Sequence, residues 1–223
     1  MNGLWTQLEP LLAKVAKPAR YIGLEDGAQR PDHDPRKVAW LLAYPDTYEI
    51  GLPNQGLQIL YELLNEHPDA VAERTYAPWV DLESELRARN MPLFSLDTHR
   101  RAGEFDVIGF NLSAELTYTN LLNMVDLAGV PVRTADRRPE HPLVAAGGHC
   151  TYNPEPIADF LDFVVLGDGE EIVAEITEVI LDWKSSGRTE GSREGVLRAL
   201  AGITGVYVPS LYDVTYDGER LVA

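Results

Sequence analysis

Asp46, Tyr48 and Gly51, Ser113 and Leu116, and Gly147, Gly148 and His149 are the residues whose types and spacing could do chemistry in this chain. Each set follows a short apolar run. In an open α/β sheet all of them would gather beyond the carboxyl ends of strands, where helix N-termini offer unpaired amides to a ligand. Gly147 and Gly148, lacking side chains, would let a flat ring or a nucleotide approach the backbone, or would simply turn the chain after a strand. On the first reading a branched side chain at 148 blocks the crevice and leaves the fold intact. Taken singly, Asp46 and Ser113 suit turn and capping roles. A fourth segment, Gly167-Asp168-Gly169-Glu170-Glu171, has Ile172 where a dinucleotide fingerprint needs its third glycine, and its carboxylates would repel a pyrophosphate. Glu170 and Glu171 suit the positive end of a following helix.

Other chemistries lose support. Cys150 is the one cysteine, so the chain can form neither an internal disulfide nor a site needing three or four thiolates. It reads as a small buried hydrophobe or an inert thiol. His33, between Asp32 and Asp34, reads as solvated loop. There is no Gly-x-Ser-x-Gly elbow, P-loop lysine or His-Glu-x-x-His helix to support a hydrolase or phosphotransferase. Nineteen Lys and Arg against 35 Asp and Glu leave a net charge of −16 over 223 residues, which disfavours nucleic acid and anionic lipid as partners. No basic, uninterrupted apolar leader opens the chain, and the longest apolar run, residues 38–45, is far short of the ~20 residues that span a bilayer. A lone thiol and no export signal point to the cytoplasm.

The elements that would position these residues follow from periodicity. Leu4, Leu8, Leu11, Leu12 and Val15 predict an N-terminal helix stopped at Lys17-Pro18, followed by an irregular polar linker through residues 23–35. Five strands are expected, at residues 38–43, 71–76, 107–112, 143–146 and 163–166. Between them fall the helical sets Leu57, Leu60, Tyr61, Leu64, then Tyr118, Leu121, Leu122, Val125, then Ile172, Ile176, Val179, Ile180, Trp183. A weaker helix is expected around Leu82 and Leu86, and a short turn at residues 154–160. This is an α/β pattern: a flavodoxin-like or Rossmann-like parallel five-stranded sheet with helices on both faces and strand order 2-1-3-4-5. Glu73 and Arg74 place strand two at an edge. Residues 184–194 read as a mobile polar loop before a short helix at Val196, Leu197 and Leu200. An apolar run at 206–208 follows, then a hairpin of residues 212–216 and 219–222 turned at Asp217-Gly218. The expected parts are an N-terminal helix and linker (1–35), the α/β domain (36–186) and a C-terminal linker with the hairpin (187–223).

These pieces resemble the cobalamin-binding Rossmann-like domain found upstream of radical-SAM catalytic domains. That family places D-x-H-x-x-G after the first strand, S-x-L after the third and G-G after the fourth, and here Asp46, Gly51, Ser113, Leu116, Gly147 and Gly148 match in order. Residues 147–156 and 164–171 are similar to the family's glycine-rich P-E and V-G-E-G-E blocks, so the likeness covers roughly residues 38–183. The resemblance implies a cofactor site at Asp46, Tyr48, Gly51, Ser113, Leu116, Gly147, Gly148 and His149, with no catalytic or metal-ligating residue. Tyr48 stands where some members place a cobalt-ligating imidazole. A phenol with pKa about 10 is a poor neutral donor, so cobalamin would sit without a protein histidine on cobalt, or the fold would be kept without the vitamin. Radical-SAM chemistry needs three cysteines at C-x-x-x-C-x-x-C. With Cys150 alone, the iron–sulfur cluster and S-adenosylmethionine belong to a downstream domain, and this sequence is expected to be the N-terminal portion of a longer polypeptide. Residues 17–23, with Glu25, are similar to the start of one group of such fusions. The implied function is an accessory domain of a radical-SAM enzyme that binds cobalamin or positions substrate. The alternatives are a docking module with an empty crevice, its acidic surface meeting a basic partner, and a free-standing enzyme, for which no perturbed acid–base pair is visible.

Overall fold

The computed structural model describes residues 3–188, 192–213, 215–218 and 220–221. One sheet runs in the order β2-β1-β3-β4-β5-β6, built from β1 (Val38–Tyr44), β2 (Ala70–Tyr76), β3 (Val107–Asn111), β4 (Leu143–Gly147), β5 (Phe163–Val165) and β6 (Val206–Tyr207). The first five are parallel, in the expected order. The sheet nevertheless has six strands rather than five, because β6 pairs antiparallel with β5. Periodicity marked the run at 206–208 but not its direction, which is set when Leu166 donates to the Gly205 carbonyl at 2.8 Å and Val208 becomes fully buried.

The helices are α1 (Gly3–Leu8), α2 (Tyr48–Gly51), α3 (Gln55–Glu66), α4 (Val80–Ala88), α5 (Tyr118–Leu127), α6 (Gly169–Ser185) and α7 (Ser192–Leu200). All seven residues of β1 are buried, since alternate side chains go to opposite cores. Trp40 and Leu42 join Leu57, Leu64, Ile176 and Ile180 under α3 and α6, while Leu41 joins Ile108, Leu121 and Met124 under α5. Val196, Leu197 and Leu200 of α7 enter the first of these cores.

Expectations about the N-terminal segment change, and the edge expected at strand two holds. The N-terminal helix is divided: α1 ends at Leu8 and a 3₁₀ helix, Glu9–Lys14, takes over, because Pro10 has no N–H to continue an α-helix. Its apolar set still works, since Leu4, Leu8 and Leu11 pack on Leu82, Leu86 and Phe94. The polar stretch 23–35 is irregular, as expected, and held to the core by side-chain contacts. Gln29 and Tyr61 exchange bonds of 2.7 and 3.1 Å, and His33, expected to be solvated, pairs with the fully buried Glu73 and meets Phe105 edge-on. Strand β2 is an edge, yet Glu73 and Arg74 are buried there because residues 94–98 run alongside. Arg74 N–H donates to Asp97 Oδ2 at 2.7 Å, Arg74 Nη2 to Asp97 Oδ1 at 2.6 Å, and Thr98 N–H to Glu73 Oε2 at 2.9 Å.

Two buried aspartates tie the later elements to the sheet. Asp106 accepts from Ala39 N–H at 2.7 Å and Lys184 Nζ at 2.6 Å and pairs with Arg188. Asp162 accepts from Val144 N–H at 2.7 Å, Arg137 Nη1 at 2.6 Å and Arg193 Nη2 at 2.9 Å. The segment expected as a mobile loop is therefore anchored at Lys184, Arg188 and Arg193; residues 189–191 lie outside the described ones. The hairpin appears as β7 (Tyr216–Asp217) against β8 (Arg220–Leu221), while residues 214, 219 and 222 of that expectation lie outside the described residues.

Candidate functional site

Where β3 and β4 end, the side chains facing α3 and α6 are small. Gly109 pairs with Ala145 and Asn111 with Gly147, and alternation turns all four toward the same two helices. The missing bulk leaves a cavity of about 450 Å³, within the range of small-molecule sites. Trp40, Gly109, Ala145 and Phe163 form its floor, and Leu57 and Leu60 of α3 face Val173 and Ile176 of α6 across it. Trp40 is fixed by a 3.1 Å bond from Nε1 to Thr177 Oγ1. The polar lining comprises Asn54, Asn111, Ser113, His149, Tyr152, Asp168 and Glu170. Asn54 caps α3, its Oδ1 accepting from Leu57 N–H at 2.9 Å; Glu170 and Glu171 occupy the first turn of α6, where its dipole favours anions.

Of the residues singled out from sequence, Ser113, Gly147, Gly148 and His149 line this cavity, and Asp46, Tyr48, Gly51 and Leu116 do not. The two glycines do different things. A Cβ on Gly147 would meet only Val165, at an ordinary 3.7 Å, so its contribution is open space. Gly148 sits at φ +109°, and a Cβ there would lie 2.8 Å from the Leu112 carbonyl oxygen. A branched residue at 148 would strain the backbone, contrary to the expectation that it would block the crevice and spare the fold. Gly51 is required by packing, since a Cβ would meet the Tyr76 ring at 2.5 Å. Asp46 holds a turn, with Oδ1 accepting from Thr47 N–H at 2.6 Å and its carbonyl from Ala77 N–H at 2.9 Å. Leu116, one residue farther from Ser113 than S-x-L requires, is 92% exposed.

Tyr48 faces the β2 side of the molecule. Its hydroxyl donates to Glu25 Oε1 at 2.8 Å, and its ring meets Tyr76 edge-on at 5.5 Å. Burial, with the Glu25 carboxylate behind it, pushes the phenol up to about 12, so it stays protonated at ordinary pH. Trp40, Asn54, Asn111 and Tyr152 were not singled out. Gly109 and Ala145, alternating small residues in two apolar strands, were the available signal for the hollow, whereas pairing of Asn54 with Asn111, 57 positions apart, leaves no local trace. Among the described residues no three His, Cys, Asp or Glu side chains converge as a metal site, and no helix is long and apolar enough to cross a membrane.

The sequence profile described as "Radical SAM proteins, N-terminal" matches residues 56–209. The chain belongs to this family. The span matched in this radical SAM N-terminal domain runs from the first turn of α3 past β6, taking in Asn111, Ser113, the Gly147-Gly148 turn and the start of α6. Asp46, Tyr48, Gly51 and Asn54 precede it. Among solved structures the domain is similar to the radical S-adenosylmethionine methyltransferase TsrM from Kitasatospora setae, solved with a tryptophan substrate and the SAM analogue aza-SAM. That alignment has a TM-score of 0.45 and 17% identity and covers 75% of this chain, which spans 28% of the enzyme's length. No curated protein matches the chain.

Proposed function

We propose that this radical SAM N-terminal domain uses the crevice between α3, α6 and the sheet to hold the flat tail of a cobalamin, presenting it to a downstream radical-SAM domain that carries the iron–sulfur cluster and S-adenosylmethionine. The observation carrying the proposal is the hollow of about 450 Å³ floored by Gly109, Ala145 and Trp40 at the carboxyl ends of the strands. The residues fit such a tail. A Cβ on Gly109 would come to 3.6 Å from Trp40, so side chains there would begin to fill the cradle without clashing. Leu57, Leu60, Val173 and Ile176 would grip the ring faces and exclude water, Gly147 would admit the tail past the strand end, and Ser113 and His149 would meet its polar part. Cobalamin supplies, when bound, a cobalt centre able to carry an alkyl group or an electron. Tyr48 does not fit a role on cobalt, being a protonated phenol held by Glu25.

The test is a visible-absorbance titration of the full chain with hydroxocobalamin, followed by desalting. Stoichiometric retention of a shifted corrin band is expected; loss of all colour would overturn the cofactor proposal. Leu116 and Tyr152, 92% and 74% exposed on loops following β3 and β4, favour a second reading, a docking face whose crevice stays empty. Under that reading no corrinoid is retained, and covering by the downstream domain protects Tyr152 from surface labelling.

A further inference from the structure

One wall of the crevice carries a hydrogen-bond relay whose direction is fixed. A backbone N–H can only donate, so the Asn54 atom accepting from Leu57 at 2.9 Å is the carbonyl oxygen Oδ1. The Asn111 atom 3.3 Å from that oxygen is then its amide nitrogen, and Asn111 Oδ1 accepts from Ser113 Oγ at 2.7 Å. Asn54 Oδ1 is thus doubly occupied, and both N–H bonds of Asn54 Nδ2, with the second of Asn111 Nδ2, meet no acceptor among the described residues. Both side chains line the cavity, at the N-terminus of the 12-residue α3, whose dipole strengthens donors there. The other rim carries Asp168 and Glu170, so an anionic acceptor is opposed across the opening.

Resting on the cofactor proposal above, we infer that Asn54 and Asn111 are specificity-determining residues: they select a flat, uncharged base that brings a bare ring-nitrogen lone pair to the α3 wall. An imidazole-type nitrogen satisfies this. A ring of similar size without the lone pair covers the partly exposed amides without accepting from them, and a donor left unmet when a ligand buries it costs on the order of tenfold in affinity.

The experiment compares two corrinoids differing in the tail, one with a benzimidazole base and one with a phenolic ring, both titrated against the full chain as dicyano forms, in which cyanide occupies cobalt and the benzimidazole nitrogen is already free of it. The native protein is expected to bind the benzimidazole form about tenfold more tightly. In the double variant Asn54→Asp, Asn111→Ala, the carboxylate keeps the α3 cap while the free N–H groups are removed, and the ratio should fall to within about twofold by weakening the benzimidazole form. Equal binding of the two corrinoids by the native protein would overturn the inference and leave the cofactor proposal standing, as would a tenfold ratio surviving in the variant. If the variant does not fold, the native ratio alone decides. Binding of neither corrinoid would remove both claims.

Discussion

Gly147 and Gly148 are adjacent and alike in sequence, but substitution should separate them. Alanine at 148 must adopt φ near +109° with its Cβ 2.8 Å from the Leu112 oxygen, so Gly148→Ala should cost about 1–3 kcal/mol, read as a lowered urea midpoint with unchanged slope. Gly147→Ala meets only Val165 at 3.7 Å and should leave the midpoint within about 0.5 kcal/mol. Tyr48→Phe removes the bond to Glu25 and should leave corrinoid affinity unchanged, because Tyr48 is no part of the crevice lining. A large loss of affinity in that variant would place Tyr48 at the ligand after all. These distinctions mark where sequence reasoning ran out. The glycine pair, Ser113 and His149 were legible at a strand end, but which glycine turns the chain depends on the carbonyl of Leu112, 36 residues away. Tyr48 sat in a family motif, and nothing local showed that Glu25 would draw it to the other side.

At the scale of elements, buried ion pairs do much of the tying, and they were invisible in the linear pattern because each joins distant segments. Asp162 and Arg137 are at most 1% exposed, and removing the carboxylate leaves two guanidinium groups buried without it. Asp162→Ala should therefore cost about 3–5 kcal/mol by urea unfolding, whereas Glu194→Ala, which breaks an exposed pair with Arg198, should cost under about 1 kcal/mol. The N-terminal arm has its own pH dependence. Hydrogen bonding from Lys17, with Arg20 added, lowers Glu49 from 4.5 to about 2, and burial lowers His99 below 6.5 where it donates to the Tyr21 carbonyl. Both groups bind protons more readily once the arm is released. Their contribution is complete above pH 6.5, declines first as His99 charges, and is lost through Glu49 between pH 4.5 and about 2. Trp5, tilted against His99 with ring centroids 4.6 Å apart, should report loosening by fluorescence on acidification, ahead of far-UV unfolding. Loosening on raising the pH above 7 instead would contradict this. The strands, the apolar stripe of the N-terminal arm and the α3, α5 and α6 helices were readable because each buries a periodic stripe; the 94–98 edge, the contacts of residues 23–35 and the direction of β6 were not, because their partners are polar or fixed by chain reversal.

For the molecule as a whole, the parallel order 2-1-3-4-5 gathers the loops after β1, β3, β4 and β5 at one end, and the small residues of β3 and β4 open a hollow beneath α3 and α6. The most direct test of that hollow as a ligand site fills it. Ala145→Leu puts a branched side chain on the cavity floor. Hydroxocobalamin titration of this variant beside the native chain, with urea unfolding of both, should show a stability equal to or above native and binding weakened by at least about a hundredfold. Native affinity in a folded Ala145→Leu protein would mean that the ligand sits elsewhere.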